Sequence, residues 1–223
     1  MRKAFISMLS YDEKICAVTV ASLFNEVFVA AEKGILLQMD VQMRCSDLPF
    51  ARAVCLSRFL ASGAEDWVCL DNDVGWDSGG LTRLLEHDVE FVMGVYPKRQ
   101  YPRDFVVEFA GGQMKMESNG LARIKAGPAG FMRLKRSAAE KMILGYKELA
   151  YRNEDSPTMG KLWGVFEKYL EKGERVSEDI AFVHRWTLLG EPAWVDPTIK
   201  LYHAGMNIWN GVLLEHVAAR SAA

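Results

Sequence analysis

Two aspartates one residue apart, in Leu70-Asp71-Asn72-Asp73-Val74, are the side chains of this sequence best suited to chemistry. They follow a short apolar run, Trp67 to Leu70, that reads as a buried strand. Residues i and i+2 of an extended segment point to the same side, so Asp71 and Asp73 can face one cation together. Like charges this close are costly unless protonation or a metal relieves them. A hard divalent cation sharing its shell with a diphosphate would do so, Mg²⁺ being the usual case. The triplet also falls outside the carboxyl end of a strand, where open α/β sheets bind ligands. The competing explanation is a capped turn in which Asp73 or Asp77 opens the next helix. A second acidic pair, Glu178-Asp179 behind Ser177, is open to the same double reading. Acids in the first turn of a helix complement its dipole and its cap. His203 follows the apolar run Ile199 to Tyr202 and precedes Ala204-Gly205, so it too ends a strand.

The elements that must position these residues are legible from hydrophobic pattern. Ala4 to Leu9 reads as a first buried strand, followed by a helix from about Lys14 to Lys33 that Gly34 stops. Within that helix Ala17, Val20, Ala21, Phe24, Val27, Phe28 and Ala31 recur at helical spacing and predict its buried face. Ile35 to Val41 is a second strand. Ser46 to Ala61 is a helix, with Ser46 or Asp47 as cap and Pro49 in its first turn. After the third strand come a short helix ending at Glu86 and a strand from Glu90 to Tyr96. This alternation predicts an α/β fold on a mixed, mostly parallel sheet flanked by helices. The rhythm then breaks. Phe105 to Phe109 and Gln113 to Met116, around Gly111-Gly112, predict a hairpin. A strand from Ala129 to Leu134, a helix from Ser137 to Gly145 and a mobile loop from Asp155 to Gly160 follow. A helix from Ser177 to Leu188 and short strands at 194–196 and 199–202 come next. Asn207 to Ala223 reads as a terminal helix, either for docking, with Ile208, Val212, Leu213 and Val217 on one face, or simply part of the core.

Composition narrows the function classes. Half of the 223 residues are hydrophobic, enough for one sizeable core. Net charge is −2, from 27 basic and 29 acidic residues, so no general nucleic-acid surface or anionic-membrane affinity is expected. Cys16, Cys45, Cys55 and Cys69 lack the close pair spacing of a zinc site. No run approaches the roughly 18 apolar residues of a membrane span. With no secretory signal visible after Met1-Arg2-Lys3, a reducing, cytoplasmic setting is the expectation.

Several segments, taken in order, resemble one family. "DNDVGWDSGGLTRLLEHDVEFVMGVYP" resembles the metal-binding strand and following unit of GT-A glycosyltransferases, notably small phage and bacterial members of the family 2-like type. Upstream, "DLPFARAVCLSRFLASGAEDWVCLDND" resembles the arginine-bearing helix before their Asp-x-Asp motif. Downstream, "AGPAGFMRLKRSAAEKM" is similar to their acceptor-side strand and helix. "SEDIAFVHRW" and "VDPTIKLYHAG" are similar to their Glu-Asp helix and late histidine. The resemblance runs from about Ser7 to Gly205. It implies a Rossmann-like, nucleotide-diphospho-sugar transferase fold as a single domain over 1–223. Residues 1–97 would hold the nucleotide sugar, 98–205 would form the acceptor side, and 206–223 would be a helical tail.

The roles it implies are specific. Asp73 would bind the metal, Mn²⁺ or Mg²⁺, with His203 as a further contact and Asp71 near the metal or the ribose. Arg52 would meet the nucleotide or diphosphate. Ser10, Tyr11 and Asp12 would line the nucleotide pocket beside Asn72, although the family often has a proline before the tyrosine-like position. Gly130 and Phe131 would shape the acceptor side, and Trp163 or Tyr151 could meet the acceptor. Asp179 would be the general base, paired with Glu178, and would take the proton of an acceptor hydroxyl. The donor would be a nucleotide sugar, a UDP-sugar foremost. The acceptor is left open among protein, lipid, glycan and modified DNA base, as is inversion against retention. Two rivals compete. One is a non-catalytic nucleotide-sugar or carbohydrate-binding module. The other is an Asp-x-Asp phosphohydrolase, disfavoured because such enzymes carry their aspartates after the first strand. A nuclease lacks its basic surface.

Overall fold

The computed structural model describes residues 1–153 and 160–221. Its first half alternates strand and helix: β1 (Arg2–Ser10), α1 (Ala17–Glu32), β2 (Ile35–Met43), α2 (Leu48–Ser62) and β3 (Asp66–Asp71). Both β2 and β3 pair parallel to β1. Asp47, not Ser46, caps α2: its carboxylate accepts from Phe50 N at 3.3 Å, while Gly63 ends the helix in the left-handed region. There follow β4 (Val74–Trp76), α3 (Gly80–Glu86), β5 (Phe91–Met93), β6 (Glu108–Phe109), β7 (Ala122–Ala126), β8 (Phe131–Lys135) and α4 (Arg136–Gly145). Two hairpins come next, β9 (Ala150–Arg152) with β10 (Lys161–Trp163) and β11 (Tyr169–Glu171) with β12 (Glu174–Val176). The chain closes with α5 (Glu178–Leu188), β13 (Ala193–Val195), β14 (Lys200–Ala204), β15 (Ile208–Val212) and α6 (Leu213–Ser221).

The main sheet has eight strands in the order β2-β1-β3-β8-β5-β13-β7-β6. It is mixed, but not mostly parallel as the local pattern suggested. β8 lies antiparallel between β3 and β5, and β7 and β6 add further antiparallel pairs. Successive residues of β3 alternate between two cores. Trp67 and Cys69 join Phe5, Phe59, Phe91, Phe166 and Trp186 on one face. Val68 and Leu70 join Ile6, Met8, Trp76 and Leu81 on the other. A sheet covered on both faces has no polar alternation, which is why its strands read as continuous apolar runs. Fully buried Arg133 on β8 donates to the carbonyls of Leu84 (3.2 Å) and His87 (2.6 Å) at the C-terminal end of α3. It thereby ties helix to sheet through otherwise unpaired groups.

Three expectations are corrected. The face of α1 turned inward is Thr19, Ser22, Glu26 and Ala30, whereas Val20, Phe24, Val27 and Phe28 are exposed. The inward residues win because they satisfy buried polar groups. Ser22 Oγ donates to Trp76 O and accepts from Trp76 N, each at 2.8 Å. Glu26 accepts from Trp76 Nε1, Gly79 N and Thr82 N, the last two at the start of α3. The hairpin partner of β6 is β7, not residues 113–116. The C-terminal stretch is not one helix: Ile208–Val212 pairs antiparallel with β14, and the helix starts at Leu213. Ser177 stands at the N-cap of α5 without a side-chain cap bond. Most of the expected mobile loop, residues 155–159 of it, lies outside the described residues. No helix among the described residues is long and apolar enough to cross a membrane.

Candidate active site

The chain leaves the main sheet at Asp71 and joins a second, three-stranded sheet, β15-β14-β4, at Val74. The acidic triplet is the link, and a different element holds each of its residues. Asp71 N donates to Gly130 O at 3.0 Å, just before β8. Asn72 O accepts from Cys16 N at 2.8 Å, at the start of α1. Asp73 O accepts from Ala204 N at 2.8 Å, at the end of β14. Asp73 therefore opens a strand rather than capping a helix, and its side chain lines the cleft.

The two carboxylates point to different partners. Asp71 Oδ1 accepts from Arg52 Nη2 at 2.9 Å, and its Oδ2 accepts from Tyr96 OH at 3.0 Å. A β-carbon at Gly130 would lie 2.1 Å from Asp71 Oδ2 and 2.6 Å from Tyr96 OH, so only glycine lets β8 start here. Arg52 is 4% exposed, yet its Nε and Nη1 have no hydrogen-bond partner among the described residues. Burial alone would favour its neutral form, but Asp71 and Asp179 outweigh that and hold the guanidinium charged. Buried donors left unpaired in this way are uncommon and mark a place where a ligand can be received.

Asp179 sits in the first turn of α5, facing Arg52. Its Oδ1 is buried and has no hydrogen-bond partner among the described residues, while the Ala129 backbone donates to the carboxylate. Burial pushes its carboxyl up to about 6, with Asp71 and Glu178 adding to the rise and Arg52 opposing it. Glu178 is paired with Lys168 at 3.4 Å.

Asp73 faces the other wall. Its Oδ2 is bound by Arg99 Nη2, and His203 Nε2 lies 3.9 Å from its Oδ1. His203 Nδ1 is 2.9 Å from Pro97 O. A carbonyl can only accept, so the neutral ring carries its proton on Nδ1 and turns the lone pair of Nε2 toward Asp73. Burial first, then Asp71, raises the Asp73 carboxyl, against the pull of Arg99.

These groups converge on one cleft of about 270 Å³, lined among others by Tyr11, Arg52, Asp71, Asp73, Arg99, Glu178, Asp179 and His203. A hollow of about 460 Å³ between Phe105 and α6 has Asp104 as its acid, and in another of about 530 Å³ Asp66, Glu86 and Asp88 are paired with Arg2, Lys33 and Lys135. Several expected residues serve the site differently. Asp71 and Asp73 share the cleft, Asp71 held by Arg52 and Tyr96 and Asp73 by Arg99. Asn72 lines the cleft, but its amide donates to Lys14 O at 2.7 Å and holds the 10–14 turn. Ser10 is buried, giving its hydroxyl to the same carbonyl at 2.7 Å, and Asp12 turns to Lys14. Neither lines the cleft, whereas Tyr11 does. Phe131 is core, its ring tilted against that of Trp76 with centres 5.2 Å apart. Tyr151 and Trp163 sit half-buried against hydrophobic clusters. Arg99 and Tyr96 were not foreseen, although both follow the strand end of β5, where the strand-end rule applies equally.

Among the described residues no group of three or more His, Cys, Asp or Glu is placed to hold a metal ion. Asp73 with His203 offers two donors. That fits a cation that takes one or two protein ligands and completes its shell with water and phosphate oxygens.

No protein-family model matches the chain, and no curated protein matches its sequence. Among solved structures it is similar to A197 from STIV, at TM-score 0.52 and 16% identity, over 92% of this chain and 86% of that one. The likeness shows a shared fold. A mannose-1-phosphate geranyltransferase from Thermus thermophilus overlaps 73% of this chain and 55% of its own length at 11% identity, with a TM-score of only 0.36.

Proposed function

We propose that this chain is a GT-A-type glycosyltransferase that moves a sugar from a nucleotide-diphosphate donor, a UDP-sugar foremost, to an acceptor hydroxyl. One observation carries the reading. A buried carboxylate with an unpaired oxygen, Asp179, and a separate acid–imidazole pair, Asp73 with His203, open on the same cleft at the end of β3. The first is what a general base needs, and the second is what a metal-held diphosphate needs. A mixed sheet flanked by helices, with the acids at a strand exit, is the setting that the sequence resemblance implies.

Asp73 and His203 would hold Mn²⁺ or Mg²⁺, which when bound neutralises charge on the departing diphosphate. Asp179, mostly ionised at neutral pH with its carboxyl at about 6, accepts the proton of the acceptor hydroxyl as that oxygen attacks the anomeric carbon. Attack from the side opposite the leaving group inverts the anomeric centre. Arg52 stands between Asp71 and Asp179, and its two unpaired donors can receive hydroxyl or phosphate oxygens of the bound sugar nucleotide. Asp71 holds Arg52 and Tyr96 in place, and Gly130 makes room for that contact. A phosphohydrolase of the Asp-x-Asp kind would need Asp71, the first aspartate, as a free nucleophile, yet its two oxygens are held by Arg52 and Tyr96.

The test is a panel of UDP-, GDP- and CDP-sugars with Mn²⁺, scored for release of the nucleoside diphosphate. Asp179→Asn should abolish release while leaving donor binding intact. Equal turnover in wild type and this variant, or binding of no member of the panel, would sink the reading.

A further inference from the structure

Arg99 stands where a cation belongs. Its guanidinium sits on Asp73 Oδ2, while His203 Nε2 approaches the other oxygen, Oδ1, from 3.9 Å. The arginine side chain is 42% exposed, so it is laid over the carboxylate rather than locked into the core. Its stem rests on Gly205, just beyond β14: a β-carbon there would lie 3.1 Å from Arg99 Cδ and 3.2 Å from Nε. The same loop is seated on the β14–β15 hairpin further along, where Tyr101 packs on Trp209 at 4.3 Å between ring centres and the Arg103 stem covers Gly211. Its neighbour Lys98 is already paired with Asp104 at 2.6 Å. Arg99 is therefore the loop's cation directed at the acidic triplet.

Resting on the metal-dependent reading above, we propose that Arg99 is an exchangeable counter-ion of Asp73. A divalent cation and the guanidinium compete for the same carboxylate, and Arg99, once displaced, becomes a ligand of the donor's diphosphate. Two positive charges cannot both sit on Asp73 without repelling each other, so metal binding frees the arginine. A diphosphate arriving with the metal offers the fork of donors a new pair of oxygens. Metal and nucleotide binding are thereby coupled through one side chain, and each favours the other.

The proposal predicts opposite signs for two affinities in one variant. Manganese alone, titrated into the full chain by calorimetry, should bind Arg99→Gln about fivefold more tightly than wild type, because the competitor is gone. UDP titrated at saturating Mn²⁺ should bind that variant about tenfold more weakly, and Arg99→Lys should recover part of the loss. A residue that merely braces the loop would leave the first affinity unchanged or lower it. Unchanged or weaker Mn²⁺ binding by Arg99→Gln would overturn the exchange. Asp73→Asn separates this from a wider failure. If wild type binds Mn²⁺ and Asp73→Asn does not, the metal reading stands whatever Arg99 does. If neither wild type nor Arg99→Gln binds Mn²⁺ or Mg²⁺, with or without UDP, metal dependence and exchange fall together.

Discussion

At the scale of single residues, Asp179 sets two measurable behaviours. Its carboxyl is raised to about 6 from an ordinary value near 3.8, chiefly by burial. Between those values the folded protein binds more protons than the unfolded chain, so stability falls as pH rises through the window. At neutral pH the buried charge costs on the order of 1–3 kcal/mol. Asp179→Asn should therefore raise the melting temperature at pH 7.5 by several degrees, with the gain shrinking toward pH 4. The same substitution should lower kcat by roughly 10²- to 10⁴-fold. A variant that loses activity by unfolding would show the reverse shift in melting. Turnover by wild type should climb as pH passes about 6 and then level off, and a limb near 4 would remove Asp179 as the base. Gly130→Ala tests the opposite wall. Its β-carbon would fall 2.1 Å from Asp71 Oδ2, so the carboxylate must move and Arg52 loses its anchor. Donor affinity should drop while the two cores stay intact, which near-native circular dichroism would report.

At the scale of elements, α1 shows where reading a sequence stops working. Apolar spacing predicted Val20, Phe24, Val27 and Phe28 as its inner face, yet these are the exposed residues. Apolar patterning ranks side chains by transfer from water, whereas this helix is held by polar side chains that satisfy the backbone of Trp76 and the first turn of α3. Glu26→Ala should accordingly destabilise the fold by roughly 3–5 kcal/mol, since three donors lose their acceptor in a buried setting. Phe24→Ser or Phe28→Ser should each change stability by less than about 0.5 kcal/mol. Urea unfolding of the three variants decides between the faces. Elements with a largely buried apolar run were legible: β1, β3 and α2 lie within a few residues of their expected positions, and so does the edge strand β2, although only Ile35 of it is buried. The direction of β8 was not, because parallel and antiparallel partners present the same apolar run and only the connection decides. Nor was the break at Val212, since Ile208, Val212 and Leu213 suit a strand edge and a helix face alike. The acidic triplet and Asp179 could be found from residue type and strand-end position, or from resemblance. Their division into two separate pairs could not, because it depends on Arg52 and Arg99 arriving from distant segments.

At the scale of the whole molecule, the near balance of 27 basic and 29 acidic residues means that no long-range field draws a phosphate ligand in. Attraction has to be local, and the cleft supplies it with Arg52, Arg99 and, on the proposed function, a cation held by Asp73 and His203. Two protein donors bind such an ion weakly by themselves, and a diphosphate that completes the shell should make the pair bind far better than either alone. Ligand that binds only the native state raises stability by RT ln(1 + [L]/Kd), about 2.7 kcal/mol at a hundredfold excess over Kd. Mn²⁺ or UDP added singly should therefore move the melting temperature little, and the two together should move it by more than the sum. Chelation with EDTA should return the protein to the UDP-only value. Asp73→Asn should lose the cooperative increment, whereas Asp179→Asn should keep it, because the base is not part of the metal's hold. Were UDP to stabilise the chain equally with EDTA present, the arginines alone would bind the diphosphate, and Asp73 would serve to position Arg99 rather than to bind a metal.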